Sequence, residues 1–290
     1  MRNFSKLLLL FCLVLGIATG QTPDRSHNLA SQAASQKAAS CNPSTLDIKK
    51  CHDQFPTGCT DAHTLSYDAY VNFLKNQNPG PTEPPTKMLG KSEFQTLEGQ
   101  IPSALKKSSA KHAKSALALA DLGEGNLFSV IGFLYFAEDT GAGSSPNIET
   151  CNCKLSLAGS FDFHLGLGFD PALAKTIRDT HPRPDLNNPS QMEKTSVVAE
   201  MTPHTRHAKW TFDRVNALQG QQVKVVGQLM ADNVHLNAKD DCKFPQATSS
   251  CWRSTIWEIH PVTQFFVCNL NTPCDANSAP SAWTSLDDLP

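Results

Sequence analysis

Several histidines and carboxylates lie in segments that alternate between apolar and polar residues, and these side chains could do chemistry. Asp162 and His164 lie two residues apart, as do Glu258 and His260, while Glu200 lies in a third such segment. Residues two apart on a β-strand share a face of the sheet. Imidazole together with carboxylate suits either a zinc site or a general acid–base pair. These residues are therefore the candidate catalytic set.

The same alternation has a simpler interpretation, which we favour. Phe161, Phe163 and Leu165 alternate with Asp162 and His164, so the apolar side chains would face a core and the polar ones solvent. Motifs for a serine nucleophile, a metalloprotease helix or a phosphate-binding loop are absent from the sequence. We therefore expect a binding protein rather than an enzyme, and no cofactor. Zinc is the alternative if the polar side chains converge.

The amino terminus has the three parts of a signal peptide at residues 1–20. Arg2 and Lys6 precede an apolar run, and small residues at Ala18 and Gly20 form a cleavage site, so cleavage after Gly20 is expected. The run is too short to span a bilayer, and no later stretch is long and apolar enough. We therefore expect a soluble, secreted or periplasmic protein with no membrane span.

Charge and composition limit the kinds of partner. Removing Arg2 and Lys6 from the 25 basic residues leaves 23 against 27 acidic ones, a formal net charge of −4. Proteins that bind nucleic acid through its phosphates usually have a basic excess. Nucleic acid is therefore not expected as a partner, and the sequence predicts an unknown extracytoplasmic ligand. The oligomeric state stays open.

The cysteines predict disulfides, because an exported chain folds in an oxidising compartment. Of ten cysteines, Cys12 leaves with the signal peptide, and the odd number that remains leaves at least one without an intramolecular partner. Cys242 and Cys251 are predicted to close their own loop. Cys151 and Cys153 are too close in sequence to bridge each other easily and should pair elsewhere. The candidate partners are Cys59, Cys268 and Cys274.

Composition also divides the chain into segments. Residues 21–60 are polar and contain cysteines, and we expect a disordered linker. Residues 61–122 predict a helical extension, with an amphipathic helix at 64–76 and a second helical stretch at about 92–119, in which Pro102 is the candidate break. Residues 271–290 form a carboxyl-terminal tail.

Residues 123–270 change to a two-residue period and predict a barrel. Five strands are expected, with a short helix after Thr211 between the third and the fourth. The strands are placed at 126–136, 160–169, 196–202, 221–231 and 254–268. This order, with long loops after the first and fourth strands, is what an OB-fold requires. The predicted fold class is therefore mainly β with α, a five-stranded OB-fold-like barrel preceded by a helical amino-terminal extension.

Details within the strands bear on this prediction. Gly132 and Gly227 would let the first and fourth strands coil tightly. Pro261 must interrupt the fifth strand or place it at an edge. The alternative is a β-sandwich, which needs about seven strands.

Four segments carry a resemblance to a known family. They are YDAYVNFLKNQ at 67–77, VVAEMTPHTR at 197–206, QVKVVGQLMADNVH at 222–235 and WEIHPVT at 257–263. With these segments the chain resembles a family of uncharacterised exported bacterial proteins. The resemblance implies an OB-like, nucleic-acid-binding-type fold and implies no activity.

The aromatic residues near the fifth strand are candidates either for the barrel core or for ligand contacts. Aromatic rings on an OB-fold surface can stack on ligands. Trp257 and one of the phenylalanines at 265–266 are expected in the core, and Trp252 is the candidate ligand contact because it lies in a loop. Three functions remain open: a noncatalytic binding module, a metal-dependent hydrolase or nuclease, and a structural envelope protein attached through an unpaired cysteine.

Overall fold

The computed structural model describes residues 47–51, 71–77, 85, 87–106, 112–142 and 148–290. The predicted signal peptide at 1–20 and most of the predicted linker at 21–60 lie outside these residues. The same holds for the first part of the predicted helix at 64–76, although residues 71–75 are helical.

The described residues form one seven-stranded sheet with short helices. The strands β1 to β7 are Lys87–Leu89, Leu127–Asp139, Phe163–Gly168, Val197–Met201, Gln222–Ala231, Trp257–Cys268 and Trp283–Ser285. The helices α1 to α6 are Lys91–Gly99, Ser103–Lys106, His112–Asp121, Pro171–Thr180, Gln191–Lys194 and Phe212–Asn216. The prediction of a mainly β fold with some α-helix is confirmed.

Five of the strands close into a mixed barrel. Strand β2 pairs antiparallel with β3, β3 antiparallel with β4, β4 parallel with β6, β6 antiparallel with β5, and β5 antiparallel with β2. Strands β1 and β7 extend the sheet beside β2 and β6. Because the sheet closes on itself, the alternative of a β-sandwich is excluded.

Alternating side chains of the barrel strands fill a single apolar interior. Strand β3 contributes Phe163, Leu165 and Leu167, and α1 packs Phe94 and Leu97 against the same core. Strands β4 and β6 add alternating residues of their own: Val197, Ala199, Met201, Trp257 and Ile259. The residues between these therefore point away from the barrel axis.

Strand β6 passes through Pro261 without interruption and lies between β4 and β5, so neither the expected break nor the expected edge position is found. The register shifts at this point, since Gly227 faces Val262 while Leu229 faces Ile259. A Cβ atom on Gly227 would lie 2.3 Å from the carbonyl oxygen of Pro261. A proline is tolerated at such a bulge, where the ladder is irregular, and glycine lets the two backbones approach.

The helical stretch predicted over 92–119 breaks at the candidate position near Pro102, because α1 ends at Gly99 and α2 begins at Ser103. Residues 107–111, between α2 and α3, lie outside the described residues. The insertion between β3 and β4 contains two helices, α4 and α5. The start of α5 has a capping box, in which Ser190 and Glu193 satisfy each other's backbone N–H groups.

Three disulfides join parts of the described chain. Cys242–Cys251 is the pairing that its loop predicted, and Cys268 pairs with Cys274. Cys153 bridges to Cys51, which was not among its expected partners. Such bridges are typical of proteins that fold outside the reducing cytosol. Among the described residues, no helix is long and apolar enough to cross a bilayer.

Candidate functional site

The polar residues on β3, β4 and β6, together with Asp162 just before β3, converge on one patch and are buried. Asp162, Glu258 and His260 are 0 % exposed, Glu200 is 2 % and His164 is 8 % exposed. The expectation that this set faces solvent is therefore wrong. The alternation itself is as predicted, because these side chains do point outward from the barrel. They are buried because another part of the chain lies over them.

Two segments, which we call the cover, lie over this patch: residues 71–77 and 148–155. The amide of Gln228 on β5 donates to the carbonyl of Leu74 at 2.6 Å, and Leu74 packs on Met230. Asn76 donates from its side chain to the carbonyl of Cys151 at 3.2 Å, which joins the two segments to each other. Hydrogen bonds, apolar contacts and the Cys51–Cys153 bridge therefore fix the cover.

Beneath the cover, opposite charges alternate across three strands. His164 Nε2 lies 3.2 Å from Glu200 Oε1, and His260 Nδ1 lies 3.0 Å from Glu200 Oε2. The same His260 nitrogen is 3.0 Å from Glu258 Oε1. Arg253 donates to the other Glu258 oxygen at 2.6 Å. Register places His164 opposite Glu200 and brings β6 beside β4, so strand pairing builds the row.

The histidines in this row are held as cations. Burial alone lowers the pKa of His260, but the Glu200 carboxylate outweighs it and raises that pKa to about 10. Burial also lowers the pKa of His164, but the Glu200 carboxylate again outweighs burial and raises that pKa to about 9. Burial raises the pKa of Glu200, yet the two imidazoles bring it well below its ordinary value. In this state neither imidazole is a proton acceptor.

The cover adds a cation and a thiol to the cluster. Lys75 Nζ lies 3.2 Å from Glu149 and 3.9 Å from Asp232. Cys151 is 3 % exposed, forms no disulfide with a described cysteine, and donates from Sγ to Glu149 at 3.2 Å. Burial raises the pKa of this thiol well above its ordinary value. The cluster is therefore completed by side chains from outside the barrel strands.

Asp162 lies between the thiol and the histidines. Its Oδ2 is 3.8 Å from the Cys151 sulfur, whereas its Oδ1 has no hydrogen-bond partner among the described residues. Burial, followed by the nearby Glu149 carboxylate, raises the pKa of Asp162 to about 7. Near neutral pH this carboxyl group therefore carries a proton in a substantial fraction of molecules.

Several groups of three side chains in the cluster could hold a metal ion. In each group, one ligand atom per residue lies within 4.8 Å of the others. The groups are Glu149–His164–Glu200, Glu149–Cys151–Asp162, Asp162–Glu200–His260 and Glu200–Asp232–Glu258. The third group consists of residues that the sequence predicted as site residues, whereas each of the other three adds at least one residue that it did not.

A separate cavity of about 380 Å³ lies beside the loop that the Cys242–Cys251 disulfide closes. Its lining is Glu98, Gly99, Leu236, Asp241, Lys243, Phe244 and Pro245. Asp241 is 0 % exposed, and its Oδ1 accepts from the backbone N–H of Lys243 at 2.7 Å. Its Oδ2 has no partner among the described residues, and burial raises the pKa of the carboxyl group. The cavity thus combines apolar walls with an acceptor.

Trp252 does not have the role of exposed ligand contact that its loop position suggested. It is 6 % exposed, and its indole N–H donates to Asp240 at 3.1 Å. Its ring also meets that of His235 edge-on, with centroids 5.2 Å apart. The side chain therefore holds its loop together. Trp257 and Phe265 are core residues, as expected.

The sequence reasoning missed several members of the cluster and of the cavity: Lys75, Glu149, Thr202, Asp232, Arg253 and Asp241. Thr202 could have been found from the sequence, because it follows Glu200 by two residues at the end of β4, and its hydroxyl lies 2.7 Å from His260 Nε2. Lys75 lies in the predicted helix, but the apolar period of a helix does not indicate that a lysine is buried. The others lie in loops, where no periodicity indicates which way a side chain points.

Comparison of this chain with protein-family models, with curated proteins and with solved structures found no match.

Proposed function

We propose that this chain is an exported, noncatalytic binding module built on an OB-fold-like barrel. Its ligand binds in the cavity beside the loop at 242–251. The observation that carries the proposal is the position of that cavity, with the buried Asp241 carboxyl group in its wall, against a loop closed by a disulfide. A closed loop is a preorganised one, which reduces the entropy lost when a ligand binds.

The order of the strands supports the OB-fold-like assignment. The barrel path β2-β3-β4-β6-β5, with β4 parallel to β6 and α6 between β4 and β5, is the order expected of such a fold. OB-folds bind ligands with the second and third strands and the loops after the first and fourth. Here the cover occupies the outer face of those strands, so the loop after β5 is the part left for a ligand.

Two observations support export, the amino-terminal sequence pattern and the disulfides. The sequence begins with a positive, apolar and small-residue pattern typical of signal peptides. Cysteines in three disulfides are typical of an oxidising compartment.

The chemistry of the cavity favours a neutral or amine-bearing sugar. Carboxyl groups accept hydrogen bonds from hydroxyl and amino groups, and Asp241 lines the cavity with an oxygen that has no partner among the described residues. Glu98 also lines the cavity, although its Oε2 already accepts from Thr255 and Ile256. Phe244 and Pro245 offer apolar surface to the carbon face of a sugar ring. Lys243 provides one positive charge against the two carboxyl groups, which does not favour a phosphorylated or nucleic-acid ligand.

The buried cluster does not favour the alternative of a hydrolase or nuclease. A substrate must contact the reacting groups, whereas Glu258, His260 and Arg253 are 0 % exposed and paired with one another. For the alternative of an envelope protein attached through an unpaired cysteine, the Cys151 thiol is a poor candidate because it is buried under the cover. Cys41 and Cys59 lie outside the described residues.

The experiment is saturation-transfer NMR on the exported full chain, with glucosamine and N-acetylglucosamine and their disaccharides as probes. We expect transfer to at least one sugar, reduced by at least about tenfold in affinity in Asp241→Asn and Phe244→Ala, since a lost buried polar contact is worth 1–3 kcal/mol. Val234→Ala, at a side chain 57 % exposed and outside the cavity lining, is the matched control.

Absence of transfer to any of these sugars would contradict the sugar assignment. Equal transfer in wild type and in both cavity variants would place the binding surface elsewhere and contradict the proposed site.

A further inference from the structure

We propose that the buried cluster contains a binding site for one zinc-class divalent ion, formed by Glu149, Cys151, Asp162, His164 and Glu200. This site is separate from the cavity at the 242–251 loop and does not depend on the sugar proposal. Its ligands come from two sides: Glu149 and Cys151 from the cover, the other three from the barrel or its edge.

The first observation is the spacing of the ligand atoms. Glu149, Cys151 and Asp162 offer a sulfur and two carboxylate oxygens within 4.8 Å of one another. Glu149, His164 and Glu200 offer a nitrogen and two oxygens within the same limit. Both groups share Glu149, and Asp162 and His164 lie on one face two residues apart, so the two groups adjoin.

The second observation is that buried polar atoms in the same place lack hydrogen bonds. Asp162 Oδ1 and His164 Nδ1 have no hydrogen-bond partner among the described residues. Asp162 is 0 % exposed and His164 is 8 % exposed. A buried polar atom without a partner is destabilising. A bound cation would give both atoms a partner.

The types of donor decide the class of ion. Carboxylates alone would suit Mg²⁺ or Ca²⁺, but a thiolate and an imidazole select softer ions of the Zn²⁺ type. Zinc commonly takes four such ligands in tetrahedral geometry. The five residues supply more donors than one tetrahedral ion requires.

Binding would release protons. The Cys151 thiol donates to Glu149 at 3.2 Å, so it carries its proton in the metal-free protein, and a metal–sulfur bond requires that proton to leave to solvent. His164, which is a cation beside Glu200, must likewise release a proton to solvent before one of its nitrogens binds the ion. Lys75 lies 3.2 Å from the same Glu149 carboxylate. Its ammonium group would then share Glu149 with the ion or turn toward Asp232, which is 3.9 Å away.

The experiment loads the metal-stripped full chain with Co²⁺ and with Zn²⁺, with the disulfides kept intact. We expect one ion per chain, and for Co²⁺ a sulfur-to-metal charge-transfer band. Cys151→Ser should abolish that band, and Asp162→Asn should weaken Zn²⁺ affinity by at least about tenfold in competition with a chromophoric chelator, the effect typical of disturbing a metal site. His207→Gln is the control, because its side chain is 49 % exposed and contacts Asp287 at 2.8 Å, outside the proposed site.

Circular dichroism and a count of disulfides establish that each variant is folded before it is compared. Failure to retain one ion per chain, a cobalt spectrum without the sulfur band, or unchanged affinity in a folded Asp162→Asn variant would each overturn the proposal. If the Cys151→Ser variant does not fold, the isosteric Asp162→Asn variant still tests the proposed metal site through its Zn²⁺ affinity.

Discussion

The charged residues under the cover are balanced against one another at the scale of single side chains. The cations Lys75, His164, Arg253 and His260 lie among carboxylates, and their contacts range from 2.6 to 3.9 Å. Taking such groups out of water costs several kcal/mol per ion, and good pairing offsets this. Removing one member of the row therefore leaves its neighbours charged, buried and without a counter-ion.

Glu200 is the member whose loss should be most damaging, because it pairs with both His164 and His260. We expect Glu200→Gln to lower the free energy of unfolding by about 3–5 kcal/mol, the usual effect of breaking a buried ion pair. Urea denaturation of the metal-free protein measures this. Asp179→Asn, which breaks an exposed pair with Lys175, should leave the unfolding midpoint unchanged. An equal effect of the two substitutions would contradict this account.

The histidines also predict how stability depends on pH in the metal-free protein. Their folded-state pKa values of about 9 and about 10 lie above the ordinary 6.5. Their stabilisation is therefore complete below pH 6.5 and is lost as the pH rises through 9 and 10. The pKa of Asp162 is raised from 3.8 to about 7 in the folded state. This carboxyl group therefore adds a loss of stability as the pH rises from 3.8 to about 7.

At acid pH, carboxylates with lowered pKa values make the protein less stable as the pH falls. The pKa values of Glu200 and Asp232 are lowered in the folded state, that of Asp232 to about 2, so their stabilisation is lost as the pH falls below the ordinary carboxyl range. We expect the urea midpoint, measured with a chelator present, to be highest near pH 5 and to fall steadily toward pH 9. A midpoint that rises between pH 5 and pH 9 would contradict the assignment of charged histidines.

At the scale of elements, the cover depends on a bridge that closes a long loop. Cys51 and Cys153 are separated by 102 residues, whereas Cys268 and Cys274 are separated by 6. In the chain-entropy model a disulfide stabilises more as the loop lengthens, by about 4–5 kcal/mol near 100 residues and by about 2 kcal/mol for the short loop.

Replacing Cys51 and Cys153 by alanine together should therefore destabilise the protein more than replacing Cys268 and Cys274. Hydrogen exchange should also become faster at residues 71–77 and 148–155, while β3 and β4 keep most of their protection. Mass spectrometry of exchange in peptides measures both regions. If exchange in the cover were unchanged, the Cys51–Cys153 bridge would not be what holds it in place.

The sequence predicted the barrel strands but not the burial of their outer faces, for a physical reason. Alternation on β3 shows that Phe163 and His164 face opposite ways, and the structure agrees. Alternation cannot show whether the outward face meets water or protein. That depends on Lys75 and Glu149, which lie in other segments and reach the site only through the tertiary fold.

For the candidate site, the five polar residues could therefore be identified, while their environment could not. The same limit explains Trp252, whose loop position indicated exposure although Asp240 and His235 enclose its ring. A loop closed by a disulfide can bury a large side chain within itself.

At the scale of the whole molecule, the predicted carboxyl-terminal tail is part of the barrel's packing. Strand β7 pairs with β6, and Leu286 is 0 % exposed in the main core. The guanidinium of Arg214 on α6 donates to the carbonyl of Leu289. The tail therefore connects the end of the chain to the helix between β4 and β5.

Ending the chain after Ala279 should lower the free energy of unfolding by at least about 3 kcal/mol, because buried leucine alone contributes 2–5 kcal/mol. Urea denaturation and binding of a hydrophobic dye measure the effect. Removing only the exposed Pro290 should change neither. A truncated chain as stable as the intact one would show that β7 and Leu286 do not contribute to the free energy of unfolding.

The long reach of the Cys51–Cys153 bridge has a consequence for biosynthesis. A nascent chain emerges amino terminus first, so Cys51 is available for oxidation long before Cys153 exists, whereas the 242–251 and 268–274 pairs can close almost as soon as they are made. A premature partner for Cys51 would leave Lys75 and its counter-charges hydrated and apart. A thiol–disulfide isomerase would therefore speed maturation by releasing Cys51 from such a premature partner.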